Sequence, residues 1–156
     1  MSARGDKAYE LFMSGYNCTQ AVVGAFADLM GMDFETAVRC GSGFGGGMGR
    51  LREVCGTFSG AVMVVNMLYG YSDPKNVQTK AELYARIQEL AAQFRRDNGS
   101  LICKELLGLS KPEGSPIPEA RTPEYYKKRP CPELCRYSAN MLDEYISGHP
   151  PVTERA

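Results

Sequence analysis

The chain has 156 residues, with 18 Lys and Arg against 18 Asp and Glu, so its formal net charge is zero. A chain of this length typically forms one domain that buries about 70% of its unfolded surface, so its stability does not require disulfides. The balanced charge offers no global field to attract nucleic acid or a membrane surface. No segment has the length and apolar character of a signal peptide or a membrane span. We therefore expect a cytoplasmic protein with neither nucleic-acid binding nor membrane insertion.

Apolar residues recur at helical spacing almost throughout the chain, which predicts an all-α fold. The first helix should stop near Gly15, and Asn17 with Gln20 forms the pattern of a capping box at the start of the second. We expect a single-domain helical bundle over residues 1–156, with its core at about 5–147 and a flexible C-terminal tail.

Further helices follow in the middle of the chain. Asp33 is the expected cap of a short third helix. Residues 55–69 are apolar on almost every face and too long for a strand, so they predict a buried central helix. An amphipathic helix should follow at about 74–96, and Ser100 is the expected cap of the next short helix.

Two segments lack helical periodicity and predict loops. Residues 41–49 hold six glycines, and residues 108–130 hold five prolines with few aliphatic side chains. A connection as long as the second is usually functional or loosely ordered. Pro132 then suits the first position of a final helix, which should end at about Ile146.

Four of the six cysteines lie where a helix should begin. A helix N-terminus carries about half a positive charge and unpaired N–H donors, so it stabilises a thiolate relative to a thiol. Thiolates attack disulfides and bind metals. The alternative is that free cysteines are small hydrophobic residues of the core. The four are Cys18, Cys55, Cys103 and Cys131.

The glycine-rich loop does not predict a nucleotide site. Gly41, Gly43 and Gly46 match G-x-G-x-x-G, but that fingerprint works only between a strand and a helix, and no phosphate-binding GKS or GKT follows. The glycines could let the chain pass close to a neighbouring helix, or bring main-chain N–H groups to a thiolate or a metal–sulfur centre. Arg50 and Arg52 would favour a thiolate at Cys55 if they point inward. The glycines expected near a bound group are Gly45, Gly46, Gly47 and Gly56.

Four sequence blocks resemble the bacterial and archaeal C-GCAxxG-C-C family of redox-active proteins. They are YNCTQAV, SGFGGGMGRLREVCGTFSGAVMV, SLICKELLG and CPELC, and the similarity spans roughly residues 5–147. The family pattern is one cysteine, a CGAxxG segment and two further cysteines. In this sequence the resemblance matches the four parts of the pattern to Cys18, residues 55–60, Cys103 and Cys131.

The chain departs from the family pattern at three places. Thr57 stands where the motif has alanine, which should perturb packing more than chemistry. Cys40 and Cys135 are additional cysteines. Cys135 lies four residues after Cys131, hence on the same helical face, so it could replace or assist it.

Three functions remain open from the sequence. The first is redox chemistry through a dithiol–disulfide pair or electron transfer with a redox partner not yet identified, the candidate pairs being Cys18 with Cys55 and Cys103 with Cys131. The second is a four-cysteine metal site, for which the resemblance favours an iron–sulfur cluster over zinc. The third is a helical interaction module, for instance a homodimer, with the cysteines as core residues. No C-x-x-C-H haem attachment site is present.

Overall fold

The computed structural model describes residues 2–111 and 114–151, and within them the chain forms eight helices and no strand. The prediction of an all-α fold is confirmed. The helices are α1 (Ala3–Met13), α2 (Cys18–Ala25), α3 (Phe34–Gly41), α4 (Gly56–Tyr69), α5 (Val77–Asn98), α6 (Cys103–Leu106), α7 (Pro123–Lys128) and α8 (Cys131–Gly148).

Side chains cap several helices at the positions that the sequence predicts. The Asn17 side chain accepts a hydrogen bond from the Gln20 N–H at 2.9 Å, and the Gln20 side chain accepts one from the Asn17 N–H at 3.1 Å. Asp33 caps α3 by accepting from the Thr36 N–H at 2.8 Å. Each bond satisfies a donor that the first helical turn leaves unpaired. The capping box at α2 therefore fixes where Cys18 enters its helix.

The helix α4 is buried over most of its length, as the apolar pattern predicts, and α2 is enclosed more completely still. All residues of α2 except Gln20 are buried, and it packs against α1, α3, α4 and α8. In α4, Met67 is 48% exposed and Asn66 is exposed as well, because no other described element covers that side of the helix. Apolar composition alone does not say which of two apolar helices is enclosed on more sides.

Close packing brings α2 and α4 together through small residues. A Cβ placed on Gly60 would lie 3.0 Å from the Cβ of Val22 and 3.1 Å from the carbonyl oxygen of Thr19. The Thr19 hydroxyl donates to the Gly56 carbonyl at 2.8 Å, between buried residues. The N-terminal ends of the two helices, with Cys18 and Cys55, therefore lie side by side.

The described part of the proline-rich segment is fixed to the bundle. Arg121 donates to the carbonyls of Phe12 and Tyr16, both at 3.0 Å, and its guanidinium carbon lies 4.2 Å from the centre of the Phe12 ring. The Arg121 side chain is thus held by hydrogen bonds to two carbonyls at and just after the end of α1, and by a cation–π contact. They hold the segment that leads into α7 and α8.

The helix ends differ from the prediction at three places. Ile102, not Ser100, occupies the N-cap position of α6, and the Ser100 hydroxyl accepts from the Ile102 N–H at 2.9 Å. The last helix begins at Cys131, which moves Pro132 to its second position. It extends to Gly148, and the Tyr69 hydroxyl donates to the His149 carbonyl at 2.6 Å. The start of the predicted tail is therefore anchored, while residues 152–156 lie outside the described residues.

The glycine-rich loop follows a left-handed path. Its positive φ angles fall on three glycines and on Met48 (70°), Arg50 (64°) and Arg52 (60°). The glycines are Gly46, Gly47 and Gly49. A left-handed conformation costs a residue with a Cβ roughly 1–2 kcal/mol. Such strain persists only where the surrounding structure fixes it, and it is often found at functional sites.

Two glycines of this loop offer a test of its tight path. Gly47 and Gly49 both have positive φ, but a Cβ on Gly47 would lie 2.6 Å from the Glu53 amide nitrogen, whereas a Cβ on Gly49 meets open space. Gly49→Ala should lower the free energy of unfolding by about 1–2 kcal/mol, the cost of the left-handed conformation alone. Gly47→Ala should cost clearly more, because it adds a backbone clash. Urea denaturation measures both, and equal losses would contradict the described loop.

Candidate functional site

The four predicted cysteines stand at the beginnings of four different helices. Cys18, Cys103 and Cys131 are the first residues of α2, α6 and α8, and Cys55 occupies the N-cap position of α4. The positions predicted from the sequence are therefore confirmed. All six cysteines of the chain are free thiols.

All four of these cysteines line a single cavity of about 70 Å³. A water-sized sphere needs roughly 10–15 Å³ of such volume, so the cavity has room for several small atoms. Three arginines share its wall, and their charge lies close to the sulfur atoms. Besides the cysteines, the wall includes Gly46, Gly56, Thr57, Arg52, Arg121, Tyr125 and Arg129.

The Cys18 thiol is at the centre of this group. Burial raises its pKa, and an N–H donated by Gly46 opposes the rise by stabilising the thiolate. A negative charge on Cys18 in turn raises the pKa of both Cys55 and Cys131. A Cβ on Gly56 would lie 2.4 Å from the Cys18 sulfur, so only glycine leaves room for the sulfur there.

The Cys55 thiol lies at the end of a buried hydrogen-bond chain. Burial raises its pKa to about 12, with the charge of Cys18 adding to the rise. The Thr57 hydroxyl lies 3.2 Å from the Cys55 sulfur and accepts a hydrogen bond from the Ser138 hydroxyl at 2.9 Å. The sequence predicts that threonine at position 57 perturbs packing more than chemistry, and the structure adds a contact of its hydroxyl with the Cys55 sulfur.

A short backbone pairing brings Cys103 to the cavity. The Cys55 N–H donates to the Leu101 carbonyl at 2.7 Å, and the Cys103 N–H donates to the Glu53 carbonyl at 2.6 Å. Val54 and Ile102 form an isolated antiparallel bridge between these bonds. The pairing joins segments far apart in sequence, and no local pattern indicates it.

The two arginines of the glycine-rich loop have different positions. Arg52 is 7% exposed, and its Nη1 lies 3.7 Å from the Cys103 sulfur, so it points inward but toward Cys103 and not Cys55. Arg50 points the other way and donates to the carbonyls of Ser115 and Ile117. Its expected role near Cys55 is therefore not realised.

Among the remaining cysteines, the structure separates Cys131 from Cys135. Cys131 is half-buried and lines the cavity, and burial raises its pKa to about 12. Cys135 is fully buried outside the cavity wall, and its sulfur lies 3.8 Å from the Cys18 carbonyl oxygen. Burial raises the Cys135 pKa well above its ordinary value. Cys40 is exposed on α3, beside the methionines of a different cavity.

The predicted glycines divide into two pairs. Gly46 and Gly56 line the cavity. Gly45 does not line it and instead lies against Asn17, where a Cβ would come within 2.5 Å of the side-chain amide carbon. Gly47 is buried against the backbone of Arg52 and Glu53. The second pair shapes the loop that presents Gly46.

The arrangement offers four sulfur atoms but no preformed metal-ion cage. Within residues 2–111 and 114–151, no three or more His, Cys, Asp or Glu side chains are grouped so that they could hold a metal ion. The four sulfur atoms line a shared cavity and do not converge on one position that a single metal ion could occupy. Cysteine thiols in general can exchange a proton for a metal ion or lose electrons at sulfur.

The family model described as "Putative redox-active protein (C_GCAxxG_C_C)" matches residues 16–145. The chain belongs to this family. The match includes all four cavity cysteines and both loops that reach them. No curated protein and no solved structure is similar enough to this chain to count as a match. None of the helices in the described residues is long and apolar enough to cross a membrane.

The contact of Thr57 with Cys55 allows a direct test. The Thr57 side-chain hydrogen bond lowers the pKa of Cys55, so Thr57→Val should raise that pKa further and reduce the thiolate fraction at any alkaline pH. We expect Cys55 to be alkylated more slowly by iodoacetamide, by up to about tenfold for each pKa unit. Mass spectrometry of the modified peptide over a series of pH values measures the rate.

Thr19→Val is the matched control for this experiment. It removes a buried hydroxyl that bonds a main-chain carbonyl and not Cys55. It should destabilise the fold by a similar amount while leaving the pH profile of Cys55 alkylation in place. Identical profiles for both variants would mean that Thr57 does not act on the sulfur.

Proposed function

We propose that this protein is an electron-transfer protein whose four cavity cysteines bind an iron–sulfur cluster. The observation that carries the proposal is the shared cavity: Cys18, Cys55, Cys103 and Cys131 reach it from four separate helix starts. Iron–sulfur clusters are held by cysteine thiolates, commonly four. Such a cluster, when bound, supplies one-electron chemistry that thiols alone do not.

Burial supports metal binding over reaction as free thiols. Cys18, Cys55 and Cys103 are each less than 10% exposed, and Cys18 and Cys55 have raised pKa values. Neutral, enclosed thiols are poor nucleophiles toward a protein disulfide. A metal replaces the thiol proton and so removes the penalty that burial places on the bare thiolate.

The charges around the cavity also suit an anionic sulfur centre. Arg52, Arg121 and Arg129 line the wall, and Gly46 directs a main-chain N–H at the Cys18 sulfur. The N-termini of α2, α4 and α8 add partial positive charge. Hydrogen bonds and positive charge near cluster sulfurs tune the reduction potential.

A single zinc ion fits this site less well. Structural zinc requires four ligands that meet at about 2.3 Å from one point. No such grouping of His, Cys, Asp and Glu exists in the described residues. A multi-iron core, by contrast, takes its thiolates at separate iron atoms and occupies the space between them.

Anaerobic reconstitution tests the proposal. Metal-free, reduced protein incubated with ferrous iron and sulfide should gain a brown colour, with iron and acid-labile sulfide in fixed proportion to protein. Serine replacement at Cys18, Cys55, Cys103 or Cys131 should lower bound iron and sulfide to half or less. Colourless protein without retained iron would overturn the cluster.

Cys40→Ser and Cys135→Ala are the matched controls. Cys40 is exposed away from the cavity, and Cys135 is buried beside the site without lining it. Neither should reduce bound iron if the folded structure is retained. An equal loss in Cys135→Ala and Cys131→Ser, with both proteins folded by circular dichroism, would mean that Cys135 belongs to the ligand set.

A second candidate is a reversible dithiol centred on Cys18. The observation that favours it is that Cys18 shares one cavity with Cys55 and Cys131, and its charge raises the pKa of both. Two thiols would lose two electrons and two protons to an oxidant, such as a disulfide, and form one S–S bond. Metal-free protein that loses two titratable thiols on oxidation and regains them with dithiothreitol would support it.

A further inference from the structure

A second group of sulfur atoms lines a cavity of about 210 Å³ that shares no wall residue with the cysteine cavity in the described residues. Within that part of the chain, five of the seven side chains in its wall contain sulfur, and none is charged. Half of the chain's eight methionines therefore line one small space. We call it the methionine cavity, and its sulfur-bearing residues are Met30, Met32, Met63, Met67 and Cys40.

The methionines reach this cavity from two parts of the fold. Gly31 has a φ of 67° in the turn after α2, and the tight turn that glycine permits there brings both flanking residues, Met30 and Met32, to the cavity. Met63 and Met67 lie four residues apart on α4, hence on one face of that helix. The packing of α2 against α4 therefore places two pairs of thioethers around one space.

The thiol comes from a third element, α3. Cys40 is exposed there, and Ala37 lies three residues before it on the same helical face. The Ala37 side chain is buried in the wall and is small enough to leave the cavity open. Met67 is exposed at the same opening, whereas Met30 is buried. An ion in solution can therefore reach the thiol and the thioethers without unfolding of the bundle.

Packing alone does not require this composition. Leucine or isoleucine fills an apolar space with better defined side-chain conformations, whereas methionine adds a polarisable sulfur on a flexible stem. The volume of about 210 Å³ also lies below the usual range of pockets for drug-sized molecules. The concentration of sulfur and the small size together favour a metal ion over an organic ligand.

We propose that the methionine cavity binds one Cu(I) ion through the Cys40 thiolate and methionine thioethers. Soft sulfur ligands select Cu(I), whereas hard cations such as Mg²⁺ take oxygen ligands. The flexible methionine stems adjust to bring their sulfur atoms to the ion. On binding, the Cys40 thiol releases its proton to water and the copper keeps its oxidation state, so the step needs no oxidant or reductant. Copper binding here is independent of the iron–sulfur cluster proposed above.

Methionine methyl NMR of the metal-free, reduced protein tests the proposal. Cu(I) is added anaerobically, as its acetonitrile complex, to protein with isotope-labelled methionine methyl groups. Thiols of the cysteine cavity can compete for Cu(I), but no methionine of the described residues lines that cavity, so the methyl signals report on the methionine cavity. Four signals should shift and then saturate with Cu(I) and stay in place with Mg²⁺, those of Met30, Met32, Met63 and Met67.

Two further methionines serve as internal controls in the same spectra. Met13 and Met48 are 37% and 50% exposed and do not line the methionine cavity. Their thioethers are as accessible to Cu(I) as those of the cavity, but they have no neighbouring thiol in its wall. Their signals should therefore not shift.

Two variants and one matched control locate the site. Cys40→Ser should weaken Cu(I) binding at the cavity methionines about tenfold or more, since even the loss of an outer-shell partner changes metal affinity by that amount. The double variant Met63→Leu with Met67→Leu should do the same while nearly conserving side-chain volume. Met13→Leu makes the same exchange outside the cavity and should bind Cu(I) as the unaltered protein does.

Three outcomes would overturn the proposal. They are unshifted signals of the four cavity methionines in a molar excess of Cu(I), equal shifts of the Met13 and Met48 signals, and unchanged Cu(I) affinity in Cys40→Ser. Circular dichroism checks the fold of each variant, and if the double variant does not fold, Cys40→Ser decides, because its side chain is exposed. No iron is present in this experiment, so failure here would leave the cluster proposal standing, and the reverse also holds.

Discussion

The structure depends on one arrangement, four cysteines around a small shared cavity in which a thiolate is costly. Water solvates a thiolate far better than a protein interior does, so burial raises the pKa of Cys18, Cys55 and Cys131. The surrounding groups partly offset this penalty by stabilising the thiolate form. Helix N-termini and the Gly46 N–H stabilise negative charge on sulfur, and the charge of Arg129 acts in the same direction on Cys131. A core that merely used cysteine as a hydrophobic residue would have no need of these groups.

The cost of bringing the cysteines together is visible in the backbone. The glycine-rich loop holds Met48, Arg50 and Arg52 in the left-handed region, and its tight path places Gly46 at Cys18 and Arg52 at Cys103. A paired stretch at residues 53–55 and 101–103 aligns two of the helix starts. Strain of this kind is often found at functional sites, and it supports the proposal that the cavity carries the chemistry.

Local signals explain what the sequence could predict. Capping residues act within three positions, so Asn17 and Asp33 indicate their helices correctly, and the place of Cys18 at a helix start follows from Asn17. Tertiary contacts explain the rest. The bridge from Val54 to Ile102, the contact of Thr57 with Cys55, and the separation of Cys131 from Cys135 all depend on partners distant in sequence. Helix periodicity places Cys131 and Cys135 on one face and cannot say which one meets the cavity.

Anomalous diffraction at the iron absorption edge, from crystals of anaerobically reconstituted protein, is the most direct measurement of the central claim. We predict anomalous scattering from several iron atoms inside the cavity, with the sulfur atoms of Cys18, Cys55, Cys103 and Cys131 each bonded to iron. An iron-free cavity lined by four free thiols, or by a disulfide, in crystals of protein that had been exposed to iron and sulfide would contradict it.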